Sequence, residues 1–313
     1  MRCPKIPETS GGSKDKKTRS SLNGFLDLPE DVIGNILHRL GGQEILGNAQ
    51  RVCSSWRNLC KDPSMWHFID MKHRSGDNSC IGPIGRGYLV AICRKAVVWS
   101  LGQLTQLHID YFATDGLLDF ISATYNEFVV CFIFTSARSS KLKCLQIRGS
   151  SEVEDGLIEA AKKFSLLEEL HFVYVLGVHE YIEPIGQSCP KLNSFTLSSS
   201  DHRHRPSAYA SDDDCNNDYE ALAIAKSMPG LRHLRLVGNN MTNEGLQAIL
   251  DGCPYLESLD IRRCFNVDLY GGIGDRIAQK IKDFKCPNDP LEKGCVWDAD
   301  VFYCPRDYSY ERS

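Results

Sequence analysis

Six short segments of the chain share one pattern of apolar positions, in which a leucine is followed at the fourth and sixth places by further large apolar residues. The residues between these places are mostly polar, and this alternation predicts a half-buried β-strand in each segment. The segments begin at Leu104, Leu142, Leu167, Leu192, Leu231 and Leu256.

Successive segments are 38, 25, 25, 39 and 25 residues apart, so the chain has one period of 25 residues with two insertions. Between them, stretches such as "DGLIEAAKKF" and "EGLQAILDGC" carry apolar residues at helical spacing. The pattern predicts an α/β fold, a right-handed leucine-rich-repeat solenoid with one strand and one helix per repeat and the strands on its concave side. After the last strand, "DRIAQKIKDF" predicts a capping helix.

The pattern near the start of the chain is helical. In "FLDLPEDVIGNILHRLGG" apolar residues recur every four positions, Pro suits the start of the helix and the two glycines suit its end. A second helical piece is predicted in "QEILGNAQRVCSSWRNLCKD", which Pro63 stops, and "PSMWHFIDM" adds further large apolar residues. So short a module cannot bury all these side chains alone, which indicates a partner.

The same stretch resembles an F-box, with its LP start, its V-C-x-x-W-R core and its late tryptophan. In that family, three helices dock on the Skp-type adaptor of a cullin–RING ubiquitin ligase. The junctions "SCPKL" and "GCPYL" resemble those of cysteine-containing leucine-rich repeats, and the whole is similar to plant F-box/LRR proteins. The resemblance implies an adaptor-binding surface made of Leu28, Pro29, Val32, Ile36, Leu40, Val52 and Trp56.

The domain organisation follows from these patterns. We expect a disordered tail over 1–24, an F-box over 25–71, a linker with the first helix of the repeat domain over 72–100, leucine-rich repeats over 101–285 and a tail over 286–313. The insertions lie near 122–135 and 198–219. The first contains "FVVCFIF" and is either a real extra strand or the product of a retained intron or a wrong exon boundary. The second is polar and charged, as a surface loop would be.

One residue of each predicted strand points out to the concave face beside the inward leucines. These side chains are polar and mixed in sign, so the face is either a binding surface for a target or a solvated sheet face. The candidate substrate-binding residues are His108, Gln146, His171, Thr196, Arg235 and Asp260.

The fourteen cysteines do not indicate a metal site. Because the start of the chain has no secretory signal, we expect a reducing compartment, the nucleus, the cytoplasm or both, where cysteines serve as small buried hydrophobes. No C-x-x-C pair occurs and the other spacings are unlike those of zinc sites. Cys53 and Cys60, seven residues apart, are predicted to lie on one stripe of a helix around Trp56.

Charge and motifs narrow the function. The net charge of −4 and the pI near 6.1 do not indicate a nucleic-acid partner. No apolar run is long enough for a membrane span, so no membrane association is predicted. No G-x-S-x-G, P-loop or H-E-x-x-H motif is present, so neither an enzyme nor a cofactor is predicted.

Two functions remain open. In the first, the chain is the substrate-recognition subunit of an SCF-type (Skp–cullin–F-box) E3 ubiquitin ligase, joined through the adaptor to the cullin and RING subunits. In the second, it is a leucine-rich-repeat scaffold that binds proteins without ligase assembly and has a degenerate F-box.

Overall fold

The structure of the protein, a computed structural model, describes residues 29–71, 83–124, 140–150, 153, 155–175, 177–198 and 218–291. Leu28, both predicted tails apart from 286–291, and the parts 125–139 and 199–217 of the two insertions lie outside these residues. A single parallel sheet of eight strands runs through the described chain in sequence order. The strands are β1 Phe68–Met71, β2 Gln106–Asp110, β3 Cys144–Arg148, β4 Glu169–Val173, β5 Ser194–Ser198, β6 His233–Val237, β7 Ser258–Asp260 and β8 Asp283–Lys285.

Three short α-helices precede the sheet, and one α-helix lies between each pair of successive strands. Each of these later helices packs on the next, so strands and helices form two layers, which confirms the predicted α/β fold class of an F-box followed by a leucine-rich-repeat solenoid. The helices are α1 Glu30–His38, α2 Gly42–Gly47, α3 Ser54–Leu59, α4 Pro83–Trp99, α5 Asp115–Thr124, α6 Asp155–Lys163, α7 Ile182–Ser188, α8 Tyr219–Ser227, α9 Asn243–Gly252 and α10 Gly272–Lys280.

Cysteines at the ends of two helices show how the repeats are stacked. The thiols of Cys189 and Cys253 are buried and donate to the carbonyl oxygens of Ala161 and Met228 in the preceding repeat, at 3.7 and 3.6 Å. Burial raises the pKa of Cys189 to about 12 and that of Cys253 to about 11. These two thiols are therefore protonated parts of the core, as the junction pattern predicts.

Two strands of the sheet were missed by the sequence pattern. β1 lies in the stretch assigned to the F-box, and β8 follows α10, where the sequence analysis predicted only a capping helix over "DRIAQKIKDF". The helix in fact ends at Lys280, and Asp283–Lys285 pairs with β7. Both segments carry the repeat spacing with another residue in place of the first leucine, as Trp66, Ile69 and Met71 and as Ile281, Phe284 and Cys286. A pattern that requires a leading leucine therefore misses them.

The predicted second helix of the F-box is broken into pieces. α2 ends at Gly47, a 3₁₀ helix covers Ala49–Arg51, and Cys53 is extended before α3 begins. The prediction that Cys53 and Cys60 share one helical stripe is therefore wrong, since they flank the six-residue α3 as its N-cap and C-cap. Gly47 and the asparagine after it are poor helix formers, which accounts for the break.

The F-box segment and the repeats share one hydrophobic core. Trp66 is 1% exposed, its indole N–H donates to the carbonyl of Cys60 at 2.8 Å, and its ring meets the edge of Trp99 in α4 at 5.9 Å between centroids. α2 packs on both α4 and β1, and a Cβ added at Gly42 would lie 2.9 Å from the sulfur of Met71. The solenoid itself therefore covers part of the apolar surface for which the sequence indicated a partner.

Candidate functional site

The predicted adaptor surface begins on α1, whose two sides differ in exposure. Ile33 and Leu37 are 1% and 0% exposed and face the core, whereas Val32 is 37% exposed. Ile36 and Leu40 pack against the core only in part, so they continue the outer side of the helix. Pro29, exposed at the N-terminus of α1, accepts the N–H groups of Val32 and Ile33 through its carbonyl at 3.0 Å. An apolar strip thus runs along the outer side of α1.

Val52 and Trp56, the other two residues of this surface, differ in accessibility. Val52 follows the 3₁₀ helix and is 57% exposed, which makes it one of the most accessible aliphatic side chains of the described chain. Trp56 is only 9% exposed, and its indole N–H has no hydrogen-bond partner among the described residues. Val52 can therefore contact a partner directly, while Trp56 supports the module from inside.

The structure brings all six concave-face candidates together in one row. Strand pairing sets them side by side, each directly opposite the next on adjacent strands. The row is longer than predicted, because β1 adds Asp70 beside His108 and β8 adds Lys285 beside Asp260. In order across the sheet it reads Asp70, His108, Gln146, His171, Thr196, Arg235, Asp260 and Lys285.

Phe68 adds an aromatic side chain to a face that the sequence described as purely polar. It is 46% exposed and meets the ring of His108 edge-on, with 4.9 Å between the ring centroids. The segment carries the repeat spacing as Trp66, Ile69 and Met71, and a pattern that requires a leading leucine misses it. Aromatic side chains are enriched among residues that dominate protein interfaces, which favours this end of the face for contact with a target.

A cluster of charges occupies the other end of the row. The carboxylate of Asp260 accepts from Arg235 at 2.6 Å and from Arg262 at 2.8 and 2.9 Å, and Arg262 also donates to the carbonyl of Pro290. Burial by itself would raise the pKa of Asp260, but the hydrogen bonds from Arg262 and the charge of Arg235 outweigh it and lower the pKa below its ordinary value. Asp260 is therefore ionised at neutral pH, and the cluster carries a net positive charge.

At this charged end, a groove of about 270 Å³ opens on the concave face and reaches from His171 on β4 to Lys285 on β8. Its lining includes His171, Thr196, His233, Arg235 and Asp283. The groove is polar and shallow, as a surface for a peptide or a protein loop would be, and too open for a buried small-molecule site.

Comparison with known proteins identifies the family. Residues 25–72 match the F-box-like family model, and residues 229–250 match the model described as Leucine Rich repeat. Over 282 residues the chain is 39% identical to the F-box/LRR-repeat protein numbered 22 of Arabidopsis thaliana, which covers 88% of this chain and 81% of that protein. The chain belongs to the F-box/LRR-repeat family.

Two further relatives from Arabidopsis thaliana support this assignment. The F-box protein SKIP19 is 43% identical over 268 residues, which are 85% of this chain and 78% of SKIP19. The F-box/LRR-repeat protein numbered 23 is 42% identical over 277 residues, and there the chain spans only 55% of the relative's length. The resemblance inferred from the residues is thereby confirmed, and neither matched family model is that of an enzyme. Within the described residues, every helix is too short or too polar to cross a bilayer.

Proposed function

We propose that this F-box/LRR-repeat protein is the substrate-recognition subunit of an SCF-type E3 ubiquitin ligase. Its F-box docks on a Skp-type adaptor, and through that adaptor on the cullin and RING subunits, while the concave face of the repeats binds the protein to be ubiquitinated. Ubiquitin transfer itself belongs to the RING subunit and its E2. We place the activity in the nucleus, the cytoplasm or both, which imaging of the tagged protein tests.

The observation that carries this proposal is the apolar surface left on the F-box after folding. The solenoid buries part of the module's apolar set, yet Val32 and Val52 remain 37% and 57% exposed, and Ile36 and Leu40 are only half-buried. Exposed aliphatic side chains grouped on one small module are typical of a protein-binding site. The F-box-like match over 25–72 favours a Skp-type adaptor as the protein that covers them.

The shared core gives the proposal a mechanism. Because α2 packs on α4 and β1, the F-box has a fixed orientation relative to the sheet. A target held on the concave face therefore stays at a set position relative to the adaptor, and the ligase gains a high local concentration of the target's lysines. The contribution of this chain to catalysis is proximity.

The test is co-purification of the chain with a Skp-type adaptor. We expect Val52→Glu to lower adaptor recovery, because a charge buried in an apolar contact costs about 2 kcal/mol, or about 30-fold in Kd. Val98→Glu is the matched control, since Val98 is 48% exposed but belongs to α4 of the repeat domain and is not one of the predicted adaptor-binding residues. The double variant Leu28→Ala/Pro29→Ala probes the start of the same surface.

The outcomes separate the two candidate functions. Loss of the adaptor with Val52→Glu and its retention with Val98→Glu support the ligase subunit. Equal recovery by wild type and Val52→Glu, or no recovery by either, would remove that support and leave the non-ligase scaffold. The six-residue length of α2 is the feature that favours the scaffold, because so short a helix offers an adaptor little surface.

A further inference from the structure

Three side chains on the concave face carry a sulfur, an oxygen and a nitrogen donor within 4.8 Å of one another. Cys144 in β3 lies directly opposite Glu169 in β4, and His171 follows two residues later on the same face of β4. The distance between His171 Nε2 and Glu169 Oε2 is 3.5 Å. Cys144 is 6% exposed, Glu169 is exposed and His171 is half-buried, so solvent reaches the group from the side of Glu169.

Thr196, opposite His171 on β5, sets the orientation of the His171 ring. Its Nδ1 lies 2.9 Å from the hydroxyl oxygen of Thr196, and its Nε2 therefore faces Glu169. Histidines that bind metals usually have their second ring nitrogen held in this way, which fixes the ring and its tautomer.

We propose that Cys144, Glu169 and His171 bind a zinc ion, with a fourth coordination position open to the concave groove. A thiolate, an imidazole and a carboxylate are the ligand types that zinc takes, at about 2.3, 2.0 and 2.1 Å. In a tetrahedral site with these bond lengths, the nitrogen and oxygen donors stand about 3.4 Å apart. The observed 3.5 Å is close to this value. The sulfur of Cys144 lies within 4.8 Å of both other donors, against about 3.5 Å in such a site, so side-chain shifts of about 1 Å would close the three donors around the ion.

Charge and hydrogen bonding agree with a divalent cation. On binding, the thiol of Cys144 gives up its proton to solvent, and the two negative ligands together balance the charge of Zn²⁺. Gln146, opposite His171 on β3, has a buried amide nitrogen without a hydrogen-bond partner among the described residues. A water or carboxylate bound to the zinc beside His171 would offer that amide an acceptor.

The open position extends the proposed function, and this part of the inference rests on it. A target protein on the concave face would supply the fourth ligand from a histidine, cysteine or carboxylate side chain. Zinc would then contribute to the choice of target. Metal binding by the isolated chain does not depend on adaptor docking, so the two proposals fail separately.

The test is a titration of the purified, reduced 313-residue chain with Co²⁺, followed by competition with Zn²⁺. Tetrahedral cobalt gives strong visible bands, and its bond to a thiolate gives a near-ultraviolet charge-transfer band. We expect one equivalent to bind with both signatures and Zn²⁺ to displace it. Cys144→Ser should abolish the charge-transfer band, and His171→Ala should weaken binding by more than 100-fold.

Matched controls keep the result specific. Cys53→Ser removes a half-buried thiol of the F-box, and His179→Ala removes an exposed histidine of the 3₁₀ helix Val178–Tyr181, outside the groove; neither should change the spectrum or the affinity. Thr196→Val should weaken binding by about 10- to 100-fold, as loss of a group that orients a ligand does. Thermal unfolding verifies that each variant is folded. Wild-type protein without the thiolate band, or a band that survives in folded Cys144→Ser, would overturn the proposal.

Discussion

Replacement of Trp66 by alanine tests whether the F-box and the repeats form a single folding unit. The side chain is 1% exposed, it donates a 2.8 Å hydrogen bond to the carbonyl of Cys60, and it meets Trp99 of the first long helix. Loss of a buried tryptophan costs about 3–5 kcal/mol, part of which arises from the cavity and part from the unsatisfied carbonyl. Since domains are stable by about 5–15 kcal/mol, this is a large fraction of the total.

The assay is thermal unfolding followed by circular dichroism, with hydrogen exchange resolved by peptide. We expect one transition whose midpoint falls by roughly 10 °C, and faster exchange in α1–α3 together with β1 and β2. Tyr255→Ala is the control, because Tyr255 is 63% exposed and its loss should change stability by less than about 0.5 kcal/mol. Two separate transitions in Trp66→Ala, with the repeats melting at the wild-type midpoint, would refute a shared core.

Two further predictions concern the repeats. Asp260→Asn leaves Arg262, whose side chain is 3% exposed, without its charge partner and should lower the free energy of unfolding by about 3 kcal/mol in urea titrations. Because folding lowers the pKa of Asp260, its contribution to the free energy of unfolding is present above about pH 4 and is lost as the pH falls through the folded pKa. The stabilities of wild type and variant should therefore converge in acid, and a difference that stays constant with pH would contradict this. Gly252→Ala should destabilise by about 1–3 kcal/mol, since the new Cβ would lie 2.8 Å from backbone atoms of Ala225. At Gly87 an added Cβ would meet open space, so Gly87→Ala should stabilise the protein by about 0.5–1 kcal/mol. Equal unfolding midpoints for the two glycine variants would show that the helices can move apart to make room at Gly252.

The repeats were predictable because their information is local. An apolar residue at every second position specifies a strand with one buried face, and a 25-residue period places equivalent residues of neighbouring strands opposite one another. The row from His108 to Asp260 could therefore be named before the strands were paired. The ends of the row, Asp70 and Lys285, were missed because Trp66 and Ile281 stand where the other segments have their first leucine, although the rest of the spacing is kept.

The F-box was recognisable from its residues, but the role of each residue was decided by packing. Helical spacing puts Val32 and Ile33 on adjacent faces of α1, and only the position of α3 and the solenoid decides which of them is buried. Tryptophan is a residue type common at protein contacts, yet Trp56 lies in the core. A pattern along the chain shows that apolar side chains must be buried, but the segments that bury them are distant in sequence and are known only from the structure.

The sequence by itself determined the family, the strand-plus-helix repeat and the polar row of the concave face, because each depends on spacing within about one repeat. The tertiary structure decided that the F-box is fused to the sheet and that Cys144 stands beside Glu169 and His171. The first two of these ligands are 25 residues apart, a full repeat, and sequence rules for metal sites consider only short spacings. Stacking of the repeats turns that long separation into the distance between two neighbouring strands.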